Sequence, residues 1–259
     1  MPSLLDFRRV SVMRGPNLAL RDIDLQIEIG EHVALLGPNG SGKTTLIKTI
    51  TRECYPLRAP GSSLSIMGRE RWDVFELRRM LGIVTPDLLT QCPEWVTGME
   101  AVLSGFSSSM GIWRGRQRVT AEMEASAMKA LERLEATVLA DRLVNELSSG
   151  ELRRIQLARA LAHQPAALLL DEPSSHLDLS AQAELRRLLG GLARSGVGLV
   201  LVTHHLADIV PEVDRVILIG NGRIVADGPK QVMLEPGRLA ALFRVPVEVT
   251  ERDGYYHAW

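Results

Sequence analysis

The sequence predicts an α/β fold in which a parallel sheet is covered by helices on both faces. Short apolar runs, each long enough for one strand, alternate along the chain with stretches of helical spacing. A glycine-rich loop separates the first of these runs from the helix that follows. Strands that are apolar throughout belong to sheets with both faces buried, and alternation with helices makes such sheets parallel. The apolar runs are His32–Leu36, Leu81–Val84, Ala166–Leu170, Val197–Thr203 and Arg215–Gly220.

Alternating apolar residues precede the first of these runs. In the segment Leu20–Ile29, the residues Ile23, Leu25, Ile27 and Ile29 occupy every second position. This period of two is typical of a strand with one buried face, and we expect it to belong to an antiparallel hairpin. The sequence therefore predicts an antiparallel β subdomain near the N-terminus.

The middle of the chain has a different pattern. No strand signal stands out there, and the stretch Thr120–Ala136 places Met123, Ala127, Leu131 and Leu134 on one face of a helix. We expect an inserted α-helical subdomain. The predicted division is 88–146 for the helical subdomain, 1–87 with 147–259 for the core and its antiparallel subdomain, and 1–259 for the single domain that they form.

The composition excludes several classes of protein. The net charge is -1 with 24% charged residues, so no overall basic field attracts nucleic acid, which is not an expected partner.

Cys54 and Cys92 stand alone, so neither a disulfide framework nor a zinc site is predicted, and a reducing cytosol is the expected compartment. The sequence has no long apolar window and no apolar segment after a basic start, which predicts neither a membrane span nor an export signal. Any contact with a membrane would then go through a partner.

Two local features are unusual in this composition. The loop Trp113–Arg118 carries three arginines. They could form a contact surface that binds phosphate or an acidic partner. The alternative is a solvated loop, which is the more common case for a run of charges. The tail concentrates Tyr255, Tyr256 and Trp259, which predicts a short terminal hairpin packed on the domain.

The segment GPNGSGKT matches the pattern G-x-x-x-x-G-K-[ST]. Its glycines allow backbone N–H groups to point at phosphate oxygens, and the following helix presents amides and a positive dipole end. Lys43 would reach the outer phosphates of ATP, and Thr44 would offer its hydroxyl to Mg²⁺. The alternative is a glycine-rich turn without a ligand. The predicted ATP-binding residues of this loop are Gly37, Pro38, Asn39, Gly40, Ser41, Gly42, Lys43, Thr44 and Thr45.

Two adjacent carboxylates, Asp171 and Glu172, end the apolar run Leu168–Leu170. Alternation along a strand directs them to different sides. At such a strand end in phosphate-loop ATPases, Asp171 would hold the magnesium shell and Glu172 would polarise or deprotonate the attacking water. Without the phosphate loop, a turn with two solvated acids would explain the pattern equally well.

Together these motifs resemble the ATP-binding-cassette (ABC) ATPase family over nearly the whole chain. The family's signature sequence is similar to Leu147–Glu151, LSSGE, which lies about 20 residues before the acidic strand end. The resemblance implies that Ser148 and the amides near Gly150 grip the γ-phosphate of ATP bound to a partner copy. Alone, LSSGE is also a common helix start, with Ser148 or Ser149 as N-cap.

Two more segments follow the order of motifs in the family. Ser175 and Asp178 of the segment SSHLD resemble the loop that crosses the dimer interface, so Asp178 is a predicted nucleotide contact. His204, after Thr203, resembles the switch histidine, which implies that it contacts the γ-phosphate and orients the water. A histidine at a strand end is also commonly a structural residue. The predicted catalytic residues are therefore Glu172, His204 and Lys43, and the predicted magnesium ligands are Thr44 and Asp171.

The chain departs from the family's pattern at several positions. Where the family has a glutamine that binds magnesium and links to the membrane partner, this chain has Pro86, so that Asp87, Gln91 or a bridging water must replace it. Ser149 replaces the second glycine of the signature. Arg14 replaces the aromatic residue that stacks on adenine, and stacking by its guanidinium plane predicts weaker base selectivity. The proline, the SSHLD loop and the closing VPVEV with RDG resemble the molybdate and photorepair-type branch.

The resemblance also implies a mechanism and partners. Two copies pair head to tail, and each ATP lies between the phosphate loop of one copy and the signature of the other. The leading hypothesis is an ATP-hydrolysing subunit that drives transport of a solute or metal complex through separate membrane permease subunits, at the inner face of the membrane. The alternative is a soluble ATPase of the same family that remodels a protein or nucleic-acid partner. A nucleotide-gated binding module without turnover is disfavoured because Asp171, Glu172 and His204 are all present.

Overall fold

Residues 3–85, 92–107 and 119–259 are described by the computed structural model of the chain. Its strands, in chain order, are β1 Ser3–Arg14, β2 Asn17–Glu28, β3 His32–Leu36, β4 Ser63–Ile66, β5 Leu81–Val84, β6 Ala167–Asp171, β7 Gly198–Thr203, β8 Arg215–Gly220, β9 Arg223–Pro229, β10 Val249–Arg252 and β11 Tyr255–Ala258. Its α-helices are α1 Lys43–Ile50, α2 Val74–Met80, α3 Gly98–Leu103, α4 Ala121–Arg133, α5 Ser149–Leu161, α6 Leu179–Arg194, α7 Lys230–Met233 and α8 Pro236–Phe243.

The chain divides into two compact units. Unit 1 combines residues 1–74 with 198–259, and unit 2 is residues 75–197. The division into a core and an inserted subdomain at 88–146 stays a prediction.

Unit 1 contains an antiparallel sheet with the strand order β2-β1-β4. Alternation along β2 gives this sheet one buried face, because Ile23, Leu25 and Ile27 are buried while Asp22 and Asp24 are exposed. Burial of one apolar face stabilises such a sheet by roughly 25 cal/mol for each Å² of apolar surface removed from water. The predicted N-terminal antiparallel sheet is confirmed.

Strands β7, β3, β8 and β9 of unit 1 are neighbours in that order. Because β3 is parallel to both β7 and β8, Leu36 lies beside Thr203 on one side and Leu218 on the other. These three strands are buried almost throughout, as expected for parallel strands. The predicted parallel pairing of the apolar runs is confirmed for these three strands. β9, which is not one of those runs, is antiparallel to β8 after a turn at Asn221 and Gly222, so this sheet is mixed.

The C-terminal segment forms the predicted hairpin. β10 and β11 are antiparallel, with Val249 opposite Ala258. Asp253 and Gly254, between the strands, have φ values of 53° and 79°. Two consecutive positive φ values are the signature of the tight turn that matches the twist of a hairpin.

Unit 2 pairs β5 and β6 in parallel, with Val84 beside Leu170. Helix α5 packs against β5 and against α3, α4 and α6. It buries Ile155, Leu157 and Leu161 in this position. Helix α5 is therefore the central helix of unit 2.

Helix α4 corresponds to the helix predicted for Thr120–Ala136. It begins after Thr120, whose hydroxyl accepts a hydrogen bond of 3.3 Å from the backbone N–H of Met123. It ends at Arg133, because Glu135 adopts a left-handed φ of 52° that a helix cannot continue. In the described ranges, no helix is both long enough and apolar enough to cross a membrane.

Candidate nucleotide-binding site

The glycine-rich loop leaves β3 at Leu36 and enters α1 at Lys43. Gly40 and Gly42 have φ values of 78° and 110°, which glycine adopts without the strain that a side chain would add. No acidic side chain lies in the first turn of α1. The first N–H groups of a helix have no acceptors within the helix and carry its positive dipole end. This local geometry suits an anion.

Two glycines let this loop approach neighbouring backbone. A Cβ atom on Gly37 would lie 2.2 Å from the carbonyl oxygen of Ile219, and one on Gly42 would lie 3.0 Å from the carbonyl oxygen of Ala19. Carbon and oxygen atoms cannot approach to 2.2 Å without bonding, so β8 must shift if Gly37 gains a side chain. Both glycines therefore allow close packing of the loop against β8 and β2.

Gly222 is a support of the loop that the motif pattern does not include. Its backbone N–H donates a 2.9 Å hydrogen bond to the carbonyl of Ser41. Its φ is 74°, and a Cβ atom there would lie 2.5 Å from the carbonyl oxygen of Ala19. The dipeptide Asn221–Gly222 is itself a strong hairpin signal. The turn is predictable from that signal, but its contact with the loop is not.

Polar side chains of the loop are partly buried. Lys43 is 6% exposed, and its Nζ donates to the carbonyls of Gly37 at 2.7 Å and Pro38 at 3.1 Å. The hydroxyl of Ser41 is buried and has no hydrogen-bond partner among the described residues. Leaving a buried polar group unpaired costs about 1–3 kcal/mol, so this hydroxyl fits a ligand oxygen. Thr44 is exposed at the start of α1.

The two predicted carboxylates lie at the end of β6 in unit 2. Asp171 is the last strand residue and is 8% exposed, and Glu172 follows it with a left-handed φ of 44°. The carbonyl of Glu172 accepts from the backbone N–H of Ser175 at 3.1 Å, and its Oε2 accepts from the Ser175 hydroxyl at 3.4 Å. Strand alternation therefore stops at Asp171, and this turn sets the direction of Glu172.

Ser148 is the N-cap of α5. Its hydroxyl accepts from the backbone N–H of Glu151 at 3.3 Å, and the Glu151 carboxylate accepts from the backbone N–H of Ser148 at 2.8 Å. This reciprocal pair is a capping box. The hydrogen bond from the Ser148 backbone lowers the pKa of Glu151. Because Oγ of Ser148 acts as acceptor here, its own O–H can still donate to a ligand.

The start of α5 packs against the start of α6. A Cβ atom on Gly150 would lie 3.0 Å from Cβ of Ala181. Asp178 is the N-cap of α6, and its Oδ1 accepts from the backbone N–H of Ala181 at 2.8 Å. Arg153, which is buried, donates to the carbonyl of Ser175 at 3.4 Å. The signature segment and the Asp178 loop are thus neighbours within unit 2, and the contact of Asp178 with a nucleotide stays a prediction.

His204 directly follows β7. Because Thr203 pairs with Leu36 in parallel register, His204 and the glycine-rich loop leave the sheet of unit 1 at the same edge. The His204 ring lies 3.8 Å from the ring of His205, measured between centroids. The Thr203 hydroxyl donates a 2.6 Å hydrogen bond to the carboxylate of Asp208. The sequence gives no signal for Asp208, since an acid in a turn is common.

Arg14 is exposed at the end of β1, where it pairs with Asn17 of β2. Ala19, two residues further along β2, is the residue whose carbonyl approaches Gly42 and Gly222. Arg14 therefore lies at the end of the β1–β2 hairpin that packs against the glycine-rich loop. This position is compatible with stacking on a base, which stays a prediction.

The predicted site residues are distributed over both units. Unit 1 holds Arg14, Gly37, Pro38, Asn39, Gly40, Ser41, Gly42, Lys43, Thr44, Thr45 and His204. Unit 2 holds Ser148, Gly150, Asp171, Glu172 and Asp178. Pro86, Asp87, Gln91 and the loop Trp113–Arg118 lie outside the described residues.

Comparisons with known proteins agree with these motifs. The family model described as ABC transporter matches residues 20–175, which is more than half of the chain. The matched segment includes the glycine-rich loop, the signature segment and the acidic strand end.

Relatives and solved structures show the same relationship. The hemin import ATP-binding protein HmuV of Nocardia farcinica is 34% identical over 238 residues, which are 92% of this chain and 80% of that protein. The cobalt import ATP-binding protein CbiO of Rhodobacter capsulatus is 36% identical over 219 residues, 83% of this chain and 75% of that protein. A dimeric ATP-binding cassette in a post-hydrolysis state, bound to ADP and Pi, matches with a TM-score of 0.70 and 26% identity over 87% of this chain and 98% of that one. The chain therefore belongs to the ABC transporter family, as one of its ATP-binding ATPases.

Proposed function

We propose that the chain is the ATP-hydrolysing subunit of a transporter that moves a solute or metal complex through separate membrane subunits. The observation that carries the nucleotide part is the glycine-rich loop of unit 1. It combines left-handed glycines, a helix start without acidic side chains, and a buried Ser41 hydroxyl without a partner among the described residues. These are donors arranged for phosphate oxygens.

Thr44 and Asp171 would hold Mg²⁺. Thr44 presents an exposed hydroxyl at the start of α1, and Asp171 ends β6 with 8% of its surface exposed. Hydroxyl and carboxylate oxygens are the hard ligands that Mg²⁺ prefers, and the ion commonly uses one or two protein ligands beside nucleotide phosphates. When bound, it neutralises charge on the β- and γ-phosphates.

Lys43, Glu172 and His204 would carry the catalytic contacts. Lys43 now binds two loop carbonyls, and it would exchange them for phosphate oxygens when the nucleotide arrives. The turn at Glu172 and the Ser175 hydroxyl hold the carboxylate that orients or deprotonates the attacking water. His204 would contact the γ-phosphate and the same water.

Ser148 and Gly150 would act on the nucleotide of a second copy. The capping box fixes the start of α5, and both the Ser148 O–H and the first-turn amides of α5 are suited to donate to a γ-phosphate. The dimeric state of the solved cassette supports such pairing of two copies. Closure of the pair excludes water and places donors around the transferring phosphoryl group, which is the main source of catalysis in phosphoryl transfer.

The transport part rests on the relatives. Proteins named as hemin and cobalt import ATP-binding proteins cover most of this chain. Paired with membrane permease subunits, the chain would lie in the cytoplasm at the inner face of the membrane. The resemblance to the molybdate and photorepair-type branch stays a prediction.

Nucleotide binding is tested by Lys43→Ala. Removal of the ammonium group deletes charge-assisted hydrogen bonds to phosphate, so affinity for Mg-ATP should fall about 10- to 100-fold. Titration of a fluorescent ATP analogue measures it. Lys48→Ala is the control, because Lys48 lies in the last turn of the same helix, away from the loop, and should leave the affinity unchanged. Undiminished affinity of Lys43→Ala would exclude the loop as the phosphate site.

The partner is tested by affinity purification of the tagged chain from detergent-treated cells. A transporter subunit should co-purify with a polytopic membrane protein that stays bound through a second column. Recovery with soluble proteins only, or in complex with nucleic acid, would instead support an ATPase that remodels such a partner.

A further inference from the structure

Thr203 and Asp208 form a buried hydrogen bond beside His204. Thr203 is 0% exposed at the end of β7, and Asp208 is 3% exposed. The Thr203 hydroxyl donates to Oδ2 of Asp208 at 2.6 Å, which is a short hydrogen bond between two oxygen atoms. A side chain this buried needs such a hydrogen-bond partner to offset its lost hydration.

The same hydroxyl also holds the backbone beyond His204. Its oxygen accepts from the backbone N–H of His205 at 2.9 Å, and the carbonyl of His205 accepts from the backbone N–H of Asp208 at 3.2 Å. The residues before and after His204 are therefore tied to one another through the Thr203 side chain. We propose that Asp208, acting through Thr203, is a positioning residue that fixes His204 for ATP hydrolysis.

The segment that carries Asp208 is itself supported by the C-terminal hairpin. Strand β11 packs against the short turn Leu206–Asp208. The tip of the hairpin lies on Pro211, because a Cβ atom on Gly254 would be 2.9 Å from Cβ of Pro211. Lys230, which is 3% exposed, donates to the carbonyl of Pro211 at 2.8 Å.

This support explains why Asp208 is suited to the task. A buried acceptor positions a neighbour only when its own backbone is fixed, and residues 206–211 are held by the packing of β11 and by the hydrogen bond from Lys230 to Pro211. Catalytic side chains lose rate when they move by about 0.5 Å, so a support behind them affects turnover more than binding. The inference rests on the proposed contact of His204 with the γ-phosphate.

The test compares four single variants by kcat and by the dissociation constant of Mg-ATP. Thr203→Val removes the hydroxyl at nearly constant volume, and Asp208→Ala removes its acceptor. Thr203→Ser and Asp208→Asn retain the hydrogen-bonding atoms. In Thr203→Val and Asp208→Ala we expect kcat to fall about 10-fold, because proper positioning is worth one to two orders of magnitude in rate. The dissociation constant of Mg-ATP should change less than about twofold. Thr203→Ser and Asp208→Asn should keep most of the wild-type rate. Asp214→Asn, an exposed acid in the following segment, should retain the full rate.

A double-mutant cycle separates positioning from a general structural effect. If Thr203 acts through His204, then Thr203→Val should add less than about a twofold loss to His204→Ala, measured by single-turnover hydrolysis, because interacting residues are not additive. Two results would overturn this inference and leave the proposed function standing. One is that the rate losses of Thr203→Val and His204→Ala multiply in the double variant. The other is a normal kcat in both Thr203→Val and Asp208→Ala while His204→Ala is slow. A normal kcat in His204→Ala would remove the role of His204 from the proposed function as well.

Discussion

Leu36 and Thr203 lie side by side on parallel strands, so the segments that follow them leave the sheet of unit 1 at the same edge. The segment after Leu36 is the glycine-rich loop, and the residue after Thr203 is His204. Parallel pairing brings to one end of the sheet two segments that are more than 160 residues apart in the chain. Ligand sites at the carboxyl ends of parallel strands are a general property of such sheets.

Substitution Gly222→Ala should weaken both the fold and nucleotide binding. The new Cβ atom would lie 2.5 Å from the carbonyl oxygen of Ala19, and the φ of 74° adds strain for any side chain. We expect the melting temperature to fall, with strain of about 1–2 kcal/mol, and Mg-ATP affinity to fall because Gly222 holds Ser41.

Gly196→Ala is the matched control. Gly196 has a similar φ of 88°, but no atom would lie within 4 Å of the added Cβ. It should therefore show the strain without the change in affinity. Equal nucleotide affinity in wild type and Gly222→Ala would show that the β8–β9 turn does not shape the loop.

Ser148→Ala should lower stability and ATPase activity together. Loss of an N-cap costs about 1 kcal/mol, and loss of the donor to the γ-phosphate should lower kcat about 100-fold. Thermal unfolding and steady-state hydrolysis measure the two effects. Thr120→Ala removes the N-cap of α4 in the same way, so a similar loss of stability with unchanged kcat is expected there. A comparable kcat for the two variants would argue that Ser148 is only a cap.

Glu172→Gln should separate binding from hydrolysis. The amide cannot accept the proton of water, so we expect the steady-state ATPase rate to fall at least about 100-fold while Mg-ATP still binds. Because ATP is then not consumed, the paired form should persist in size-exclusion chromatography with ATP. Glu132→Gln, at an exposed position on α4, is the control. Full activity of Glu172→Gln would remove this carboxylate from the mechanism, and a monomer with ATP would contradict the composite site.

His163 predicts a pH dependence of stability. Burial, with smaller contributions from Arg159 and Arg79, lowers the pKa of His163 to about 4, although its hydrogen bond to the carbonyl of Arg78 opposes the shift. In the unfolded chain, histidine has a pKa of about 6.5, so the unfolded state binds the proton first. The contribution of neutral His163 to the free energy of unfolding is therefore complete above about pH 6.5 and is lost as the pH falls towards 4.

The measurement compares the free energy of unfolding of wild type and His163→Gln at pH 7.5 and pH 5. The free energy of unfolding of wild type minus that of the variant should be about 2 kcal/mol lower at pH 5 than at pH 7.5, because glutamine does not titrate. A constant difference across this range would show that His163 has the same pKa in both states.

The local motifs were accessible from the sequence because they depend on neighbours in the chain. The left-handed glycines around Lys43 and the capping box at Ser148 each follow from a few consecutive residues. Strand β9 was not predicted, because its sequence RIVADGP has no long apolar run and includes Gly228 and Pro229. The turn at Glu172 was also missed, because the φ of one residue is decided by its surroundings.

By itself, the sequence determined the class of fold, the glycine-rich loop, the acidic strand end and the signature segment, since each is encoded by residue types at fixed short spacing. The tertiary structure decided which distant residues support these motifs. Gly222 holds Ser41, and Thr203, which precedes His204, lies beside Leu36, which precedes the glycine-rich loop. Such contacts depend on strand order, register and packing, in which residues far apart in sequence compete for the same neighbours, and no short pattern records the outcome.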